Sequence, residues 1–329
     1  MLYLTFPYFH LSFILFYSES YIMAKPFVKW VGGKRQLMPS ILSHLPGGAL
    51  PWTGTYFEPF MGGGAVFFEM QQRGWIRQAK LNDFNEELVN LYLMVQKHPQ
   101  ALFQTLQDPC FANDAQSHQR VRAWDQDHAW PSSKTSLERA ARFLFLNRTS
   151  FNGLWRVNKK NQFNVPFGRY KEPGYPSLEQ LLEASVALKH VDFSQGDFEV
   201  LCQQAQAGDF VYFDPPYIPL SASSSFTAYT NQGSAADDLQ ARLARVCDEL
   251  TQKGVKWMLS NSSAPASISL FGSCQNAHVH KVHASRSINS KAKGRGKIEE
   301  ILVTNYSTHQ MAQETESEHA TKLTELVLP

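Results

Sequence analysis

The strongest chemical motif in the sequence is Asp214-Pro215-Pro216-Tyr217, which directly follows an apolar run at residues 210–213. Such a run predicts a strand buried on both faces, and α/β sheets bind their ligands at the carboxyl ends of such strands. A carboxylate and a backbone carbonyl can accept both hydrogens of an aromatic amino group, so that its lone pair faces a methyl donor. The prolines stiffen the loop without adding a competing N–H, and the Tyr ring can stack on a flat base. The four residues are therefore candidate catalytic residues for methyl transfer, with a proline-rich turn as the purely structural alternative.

A glycine-rich segment at residues 58–64 (EPFMGGG) lies between a predicted strand and a predicted helix. Glycines at such a turn let a ligand approach the backbone, although the spacing is not that of a dinucleotide-binding fingerprint. Asp83 ends the next predicted strand, where a carboxylate can accept hydrogen bonds from two ribose hydroxyls. Alone, Asp83 would be interpreted as an exposed turn residue. Together the turn and Asp83 indicate a nucleoside-bearing cofactor without requiring a pyrophosphate.

Near the start of the chain, residues 29–34 read KWVGGK. The segment lacks the four-residue spacer of a phosphate-binding loop and the Ser or Thr that follows its Lys, which disfavours a nucleoside triphosphatase. Trp30 beside two glycines and Lys34 would instead suit a lid over a cofactor that carries a carboxylate.

The pattern of elements around these motifs alternates between strands and helices. Strands are predicted at residues 55–57, 79–81, 210–213, 255–259 and 298–303, and helices at 65–73, 88–95 and 239–250. This alternation indicates an α/β fold with a largely parallel sheet. Between about residues 101 and 189 the texture changes to polar helices and then to an Asn-, Gly- and Lys-rich stretch, which predicts an inserted, mainly helical domain.

Charge is unevenly distributed along the 329 residues, of which 43% are hydrophobic, and the formal net charge is only +2. Residues 139–171 and 281–297 contain many Lys and Arg and no Asp or Glu. Two basic stretches on an acidic body suit a polyanionic partner, although either stretch alone could be a solvated loop. The four scattered cysteines form no disulfide pattern and suit a reducing cytoplasm. The histidines at 278, 280 and 283 alternate as on a strand, so no metal site is predicted.

The first 22 residues are apolar and aromatic, yet they lack a basic start and a small-residue cleavage site. The apolar run is also too short and too interrupted to span a bilayer. We interpret Met23 as the true start and residues 1–22 as a non-native upstream extension. Residues 307–329 are predicted to form a polar tail.

At this level of detail the chain resembles the Dam family of DNA adenine methyltransferases, from about residue 25 to 306. The segments that carry the resemblance are residues 27–34 (FVKWVGGK), 58–64 (EPFMGGG), 146–156 (LNRTSFNGLWR), 163–170 (FNVPFGRY), 214–220 (DPPYIPL), 226–229 (FTAY) and 286–288 (RSI). The resemblance implies a Rossmann-like methyltransferase sheet with helices on both faces and an inserted DNA-recognition domain. It also implies methyl transfer from S-adenosylmethionine to adenine N6 in double-stranded DNA at GATC, by base flipping. The implied location is the cytoplasm, at the nucleoid, for a bacterial or phage-encoded protein.

The resemblance also assigns roles to individual residues. The implied cofactor-binding residues are Trp30, Lys34, Phe60, Asp83, Phe198 and Asp214. The implied DNA-binding residues are Lys29, Phe151, Asn152, Leu154, Arg156, Pro166 and Arg169. Phe151 departs from the family, which usually has a Tyr there, so a wedging ring is kept while any hydroxyl contact is lost. The catalytic domain would span residues 23–100 and 190–306, and the recognition domain residues 101–189.

Three alternatives to this function stay open at the level of sequence. A methyltransferase for cytosine N4, RNA or a protein amide would use a similar motif, because each offers a planar amino acceptor. A non-catalytic DNA-binding protein on the same scaffold is disfavoured by the intact motif at 214–217. A base-excision enzyme or nuclease would need a metal cluster or a nucleophile in context, and the sequence shows neither.

Overall fold

The computed structural model describes residues 24–47, 52–219, 233–285 and 297–308. In these residues a seven-stranded sheet has the order β3-β2-β1-β4-β5-β7-β6. The strands are β1 (Tyr56–Glu58), β2 (Ala79–Asp83), β3 (Val191–Gln195), β4 (Phe210–Phe213), β5 (Lys256–Ser262), β6 (His278–Ser285) and β7 (Lys297–Thr304). Neighbouring strands from β3 through β5 run parallel, whereas β7 is antiparallel to both β5 and β6.

Helices connect the strands and cover the sheet. They are α1 (Met38–Ser43), α2 (Ala65–Gln72), α3 (Glu86–Lys97), α4 (Pro99–Thr105), α5 (Ala115–Arg122), α6 (Ser136–Thr149), α7 (Leu178–Ala187), α8 (Phe198–Cys202), α9 (Gly233–Gln252) and α10 (Pro265–Gly272). The strand and helix predictions all correspond to elements of this list, but β3, α1, α8 and α10 were not predicted. β3 lies at the sheet edge with only Val191 buried, so it lacks the apolar run that marks β4.

Alternating residues of the central strands pack into two separate cores, one on each face of the sheet. Tyr56, Tyr212 and Met258 join the core that contains α2 and α3. Phe57 and Val211 join the core that contains α8, α9 and α10. Because successive side chains of a strand point to opposite faces, the sheet is covered by helices on both sides.

The helices of the inserted region share the first of these cores. The buried side of α6, including Phe143 and Leu146, belongs to the same cluster as Leu88 and Leu91 of α3. A Thr135 capping box with Glu138 fixes the start of α6. The helices of the inserted region therefore pack into the same core as the sheet. The irregular, Asn- and Gly-rich part of this region is the long segment that follows α6.

Candidate active site

Asp214 is the first residue after β4 and lies at the carboxyl end of the sheet. Its Oδ1 accepts from Lys34 Nζ at 2.7 Å and from Ser260 Oγ at 3.1 Å. Burial raises the pKa of Asp214, while Lys34 and Ser260 oppose that rise and favour the carboxylate. The side chain keeps 23% of its surface exposed. Within the part of the chain that the structure describes, both partners use Oδ1, which leaves Oδ2 as the acceptor for a ligand.

The backbone after Asp214 is held by buried polar side chains from α9 and β5. Gln240 donates its amide N–H to the Pro216 carbonyl at 2.7 Å, and Asn261 donates to Gln240 Oε1 at 3.2 Å. Asn261 Oδ1 accepts from the Ile218 N–H at 3.1 Å. Gln240 and Asn261 are both buried. The loop is thus fixed before any ligand arrives. No spacing of residues in the sequence predicts the contacts of these two side chains.

Tyr217 completes the motif and is held at both its ring and its hydroxyl. The Lys34 ammonium lies 4.8 Å from the centroid of its ring. The phenol donates to Glu300 Oε2 on β7 at 3.0 Å. Burial raises the pKa of Tyr217 well above its ordinary value, so the phenol stays protonated and acts as the donor.

The glycine turn between β1 and α2 is shaped by Trp30. Gly62 and Gly64 have φ values of 46° and 64°, which side-chain-bearing residues rarely adopt. A Cβ added at Gly62 would lie 2.6 Å from the Trp30 indole. Glycine is therefore required at position 62, because the indole lies on the backbone. Below the turn, the buried Glu58 carboxyl accepts from Tyr56 OH at 2.8 Å, and burial raises the pKa of Glu58 to about 8.

Asp83 at the end of β2 faces this turn. Its carboxylate accepts from the Gly62 N–H at 3.0 Å and from the Asn85 N–H at 2.9 Å. Burial raises the pKa of Asp83, and these N–H groups oppose the rise. Two carboxylate oxygens offer about four acceptor positions, so capacity for ribose hydroxyls remains. The adjacent Phe84 is 77% exposed, a large apolar side chain beside the turn that the sequence analysis did not single out.

The residues gathered at this edge fit S-adenosylmethionine by their chemistry. Asp83 can accept from ribose hydroxyls, and the Lys34 ammonium can pair with the methionyl carboxylate. Phe60 packs against Phe198 with ring centroids 5.2 Å apart, although Phe198 itself is almost fully buried. Phe198 therefore backs Phe60 and presents little surface of its own.

Apart from Lys29, the predicted DNA-binding residues lie on the segment that follows α6. Asn147 of α6 accepts from the Lys29 N–H at 2.9 Å and donates to the carbonyls of Lys29 and Gly153. Phe151 is 53% exposed, and its N–H donates to the Pro166 carbonyl at 2.9 Å. The link through Asn147 joins the amino-terminal segment that carries Trp30 to the turn that carries Phe151.

Three more of the predicted DNA-binding residues are Asn152, Leu154 and Arg169. Asn152 has a φ of 55°, and its N–H donates to Tyr170 OH at 2.8 Å. Leu154 is partly buried against the core, so its side chain is less available than that of its neighbours. Arg169 is exposed and has a φ of 57°. Tyr170, which is not among the predicted site residues, therefore fixes the turn at Asn152.

Arg156 begins a small hairpin that projects from this segment. Its Nε donates to Asn164 Oδ1 at 2.6 Å, and the strands pair between Val157 and Phe163. Lys159 and Lys160 are exposed at the tip. The hairpin presents basic side chains to solvent.

The basic stretch at 139–171 does not all face outward. Arg139 pairs with Glu86 and Glu87. Arg142 is 1% exposed and binds the buried Asp125 at 2.7 Å. The expectation that the whole stretch offers phosphate contacts is therefore too broad, because charge at these two positions is used inside the protein.

Several other expectations can be placed against the described residues. The strand with alternating histidines is observed as β6, where the rings of His280 and His44 lie 4.5 Å apart. Among described side chains no group of three or more His, Cys, Asp or Glu could hold a metal ion. In the same part of the chain, every helix is too short or too polar to cross a bilayer. Residues 1–22, 226–229 and 286–288 lie outside the described residues.

The fold and the site together define a methyltransferase. A sheet of this strand order carries a glycine turn after β1, an acid at the end of β2 and the Asp214 motif after β4. The chain belongs to the D12 class of N6 adenine-specific DNA methyltransferases, whose family model matches residues 30–288. The predicted family, the Rossmann-like methyltransferase fold and the S-adenosylmethionine cofactor are thereby confirmed.

Similar proteins extend over most of the chain. The type II methyltransferase M1.LlaDCHI of Lactococcus lactis subsp. cremoris is 44% identical over 291 residues, which are 88% of this chain and 98% of the relative. The type II methyltransferase M.MjaIII of Methanocaldococcus jannaschii is 39% identical over 290 residues, covering 86% and 99%. The DNA adenine methylase of Serratia marcescens is 35% identical over 280 residues, covering 84% and 97%.

Proposed function

We propose that the protein methylates adenine N6 at GATC in double-stranded DNA, after flipping the adenine out of the helix into a pocket formed by residues 214–217. The observation that carries this proposal is the fixed geometry of Asp214, whose Oδ1 is held by Lys34 and Ser260 at the carboxyl end of β4. A base inside a duplex cannot reach such a recessed carboxylate, so extrusion of the base is needed.

In this proposal the protein prepares the amino group for attack. Asp214 Oδ2 and the Pro215 carbonyl accept the two N6 hydrogens, because Gln240 already occupies the Pro216 carbonyl. The amino nitrogen then becomes pyramidal and its lone pair is directed out of the ring plane. Tyr217 stacks on the base, and the Asp214 carboxylate stabilises the positive charge that develops on N6. S-adenosylmethionine would supply the methyl group at this edge of the sheet, with its sulfonium leaving as a neutral thioether as the N6–methyl bond forms. The surplus N6 proton would then pass to the Asp214 carboxylate.

The cofactor would be held by the predicted residues around the glycine turn. Asp83 would accept from the ribose hydroxyls, and Lys34 would pair with the methionyl carboxylate. Trp30 would close over the turn against which it already packs. Phe60, backed by Phe198, would line the adenine side.

Recognition of DNA is assigned to the segment after α6. Arg156 would read a guanine, since its planar fork matches guanine O6 and N7 in the major groove. Phe151 would insert or stack as an exposed ring, and Asn152 and Leu154 would line the same surface. Lys29, Pro166 and Arg169 would complete it. We accordingly keep residues 101–189 as the recognition domain and 23–100 with 190–306 as the catalytic domain.

The resemblance of residues 146–156 and 163–170 to the Dam family supports GATC as the target. Relatives named DNA adenine methylase, at 32–35% identity, support adenine in DNA as the substrate. A second candidate role is protection of DNA beside a restriction enzyme, which the type II methyltransferases at 44% and 39% identity favour. Either role places the protein with DNA in the cytoplasm.

A methyl-transfer assay tests the proposal. The purified chain is incubated with methyl-labelled S-adenosylmethionine and with duplexes that contain GATC or one of its single-base variants. A matched duplex already methylated at both adenines serves as the control, and single-stranded RNA of the same sequence tests the RNA alternative. We expect label in GATC duplex only, on N6-methyladenine after digestion. Label on cytosine or RNA, or equal label in every variant, would contradict the proposal.

A further inference from the structure

We propose that Glu300 on β7 is a positioning residue for methyl transfer, which acts by fixing the ring of Tyr217 through its phenol. The inference rests on the proposed function, in which that ring stacks on the flipped adenine. It concerns a residue outside the Asp214 motif, brought to it only by the folding of the sheet.

The contact itself joins distant parts of the chain. Tyr217 OH donates to Glu300 Oε2 at 3.0 Å across a sequence separation of 83 residues. Glu300 lies opposite Ser262 of β5 in the antiparallel pairing of these strands. β5 is also the strand that supplies Ser260 to Asp214 and Asn261 to the Ile218 N–H. The carboxylate therefore reaches the motif from the strand next to its main support.

A stacking ring needs a fixed plane, and the backbone alone does not provide one. The Pro216 carbonyl and the Ile218 N–H are held on either side of Tyr217, which leaves only the side-chain torsions free. The ring torsion of an aromatic side chain has a broad energy well. A hydrogen bond to a carboxylate is stronger than one between neutral groups and narrows that well.

The same geometry indicates what the Tyr217 hydroxyl does. Stacking requires only the ring, and the Lys34 ammonium also contacts the ring, 4.8 Å from its centroid. Phe would keep both of these contacts. The hydroxyl is therefore the part of Tyr217 that connects the ring to β7, and Glu300 receives it.

The neighbouring Glu299 offers a matched control. It lies on the same strand, is one residue away, and pairs with Lys281 at 3.0 Å on the surface. Its removal changes the charge of β7 by the same amount as removal of Glu300. A general effect of strand charge or strand stability would therefore follow from either substitution.

A double-mutant cycle with methyl transfer as the readout tests the proposal. Single-turnover rates on a GATC duplex are measured for wild type, Glu300→Ala, Tyr217→Phe, the double variant, Glu300→Gln and Glu299→Ala. We expect Glu300→Ala and Tyr217→Phe each to slow transfer about tenfold, with the double variant no slower than Tyr217→Phe. Glu300→Gln, whose amide oxygen can still accept from the phenol, should recover most of the rate. Glu299→Ala should match wild type.

Base placement is followed separately with 2-aminopurine at the target adenine. Glu300→Ala should change the fluorescence of the bound duplex as Tyr217→Phe does, while its affinity for S-adenosylmethionine, measured by calorimetry, stays unchanged. A wild-type rate for Glu300→Ala, or a double variant slowed about a hundredfold, would overturn the inference. If Glu300→Ala does not fold, a Glu300→Gln variant with the rate and fluorescence of Tyr217→Phe would overturn it. Failure of wild type to methylate any duplex would instead reject the proposed function.

Discussion

The Asp214 loop and the Arg156 hairpin would both act on DNA, yet they are held in different ways. The loop is fixed by buried side chains of other elements, among them Gln240 of α9 and Asn261 of β5. Arg156 of the hairpin is exposed, and its partner belongs to the same hairpin: it donates to Asn164 on the facing strand. Catalytic groups gain from being fixed in advance, because reorganisation during the reaction raises the barrier. A reading group must exchange its partner for a base, so a neutral partner at the surface of the protein suits it better than a buried one.

The largest expected effect is on the fixed side of this comparison. Asp214→Ala removes the acceptor of the target amino group, and we expect single-turnover methyl transfer to fall at least about ten-thousandfold, a barrier increase of about 5.4 kcal/mol. The substitution also leaves the buried Lys34 ammonium without its carboxylate partner, so some loss of stability is expected beside the loss of rate. Circular dichroism and DNA binding serve as controls. A rate within about tenfold of wild type would remove Asp214 from its assigned role.

A buried ion pair anchors the hairpin to the protein interior. The second prediction is that breaking this pair lowers the stability of the fold. Arg142 donates to the carbonyls of Val121 and Arg122 and to Asp125, whose Oδ2 also accepts from the Phe163 N–H at 2.7 Å. Arg142→Leu leaves the Asp125 charge buried without its cation, which should cost about 3–5 kcal/mol of unfolding free energy.

Urea denaturation measures this loss, and a second substitution gives the control. In Arg142→Leu combined with Asp125→Leu no buried charge remains, so part of the lost stability should return, while the backbone groups that the pair satisfied stay unpaired. A single variant as stable as wild type would show that the ion pair does not support the hairpin.

The sequence predicted the loop better than its supports. The apolar run of β4 and the motif at 214–217 are continuous in sequence, so both were visible without a structure. The motif is contacted from three separate elements, by Gln240, Asn261 and Glu300. The spacing of these residues in the sequence does not predict the contacts. They come together because β5 lies next to β4, β7 lies next to β5, and α9 packs on this side of the sheet.

The sequence also does not tell which basic residues are buried and which are exposed. Arg142 and Lys159 belong to one basic stretch, but the first is buried and the second is exposed at the hairpin tip. A count of basic residues cannot separate an internal ion pair from a phosphate contact. The edge strand β3 escaped prediction for a related reason, since its polar residues give no apolar pattern.

The cofactor side is tested through Asp83. Asp83→Ala removes the proposed ribose acceptor and the partner of the Gly62 N–H. We expect affinity for S-adenosylmethionine, measured by calorimetry, to fall about tenfold to a hundredfold, or about 1.4–2.8 kcal/mol. Asp83→Asn keeps one acceptor oxygen for Gly62 and should lose less. Unchanged binding by Asp83→Ala would take Asp83 out of the cofactor site.

The hairpin's reading role is tested by Arg156→Ala. Loss of a bidentate contact to guanine should cost about 1–3 kcal/mol on GATC and much less on duplexes altered at the guanine that it reads. Methylation rates on GATC and its single-base variants measure this relaxation of specificity. Equal slowing on every duplex would make Arg156 a backbone contact instead, since many protein–DNA hydrogen bonds go to phosphates.

The smallest effect should come from Lys159, three residues further along the same hairpin. Its ammonium is exposed at the tip and is a compact charge without the planar fork that reads a base edge. A contact of this kind releases about one counterion on binding, so Lys159→Ala should reduce the slope of log affinity against log salt by about one unit. Affinity should fall by the same factor for GATC and for every variant. Binding titrations at two salt concentrations, with Arg156→Ala measured in parallel, separate the two roles. A loss of affinity that depends on the DNA sequence, with an unchanged salt slope, would mean that Lys159 reads a DNA base. The target would then be recognised by the tip of the hairpin as well as by Arg156 at its start.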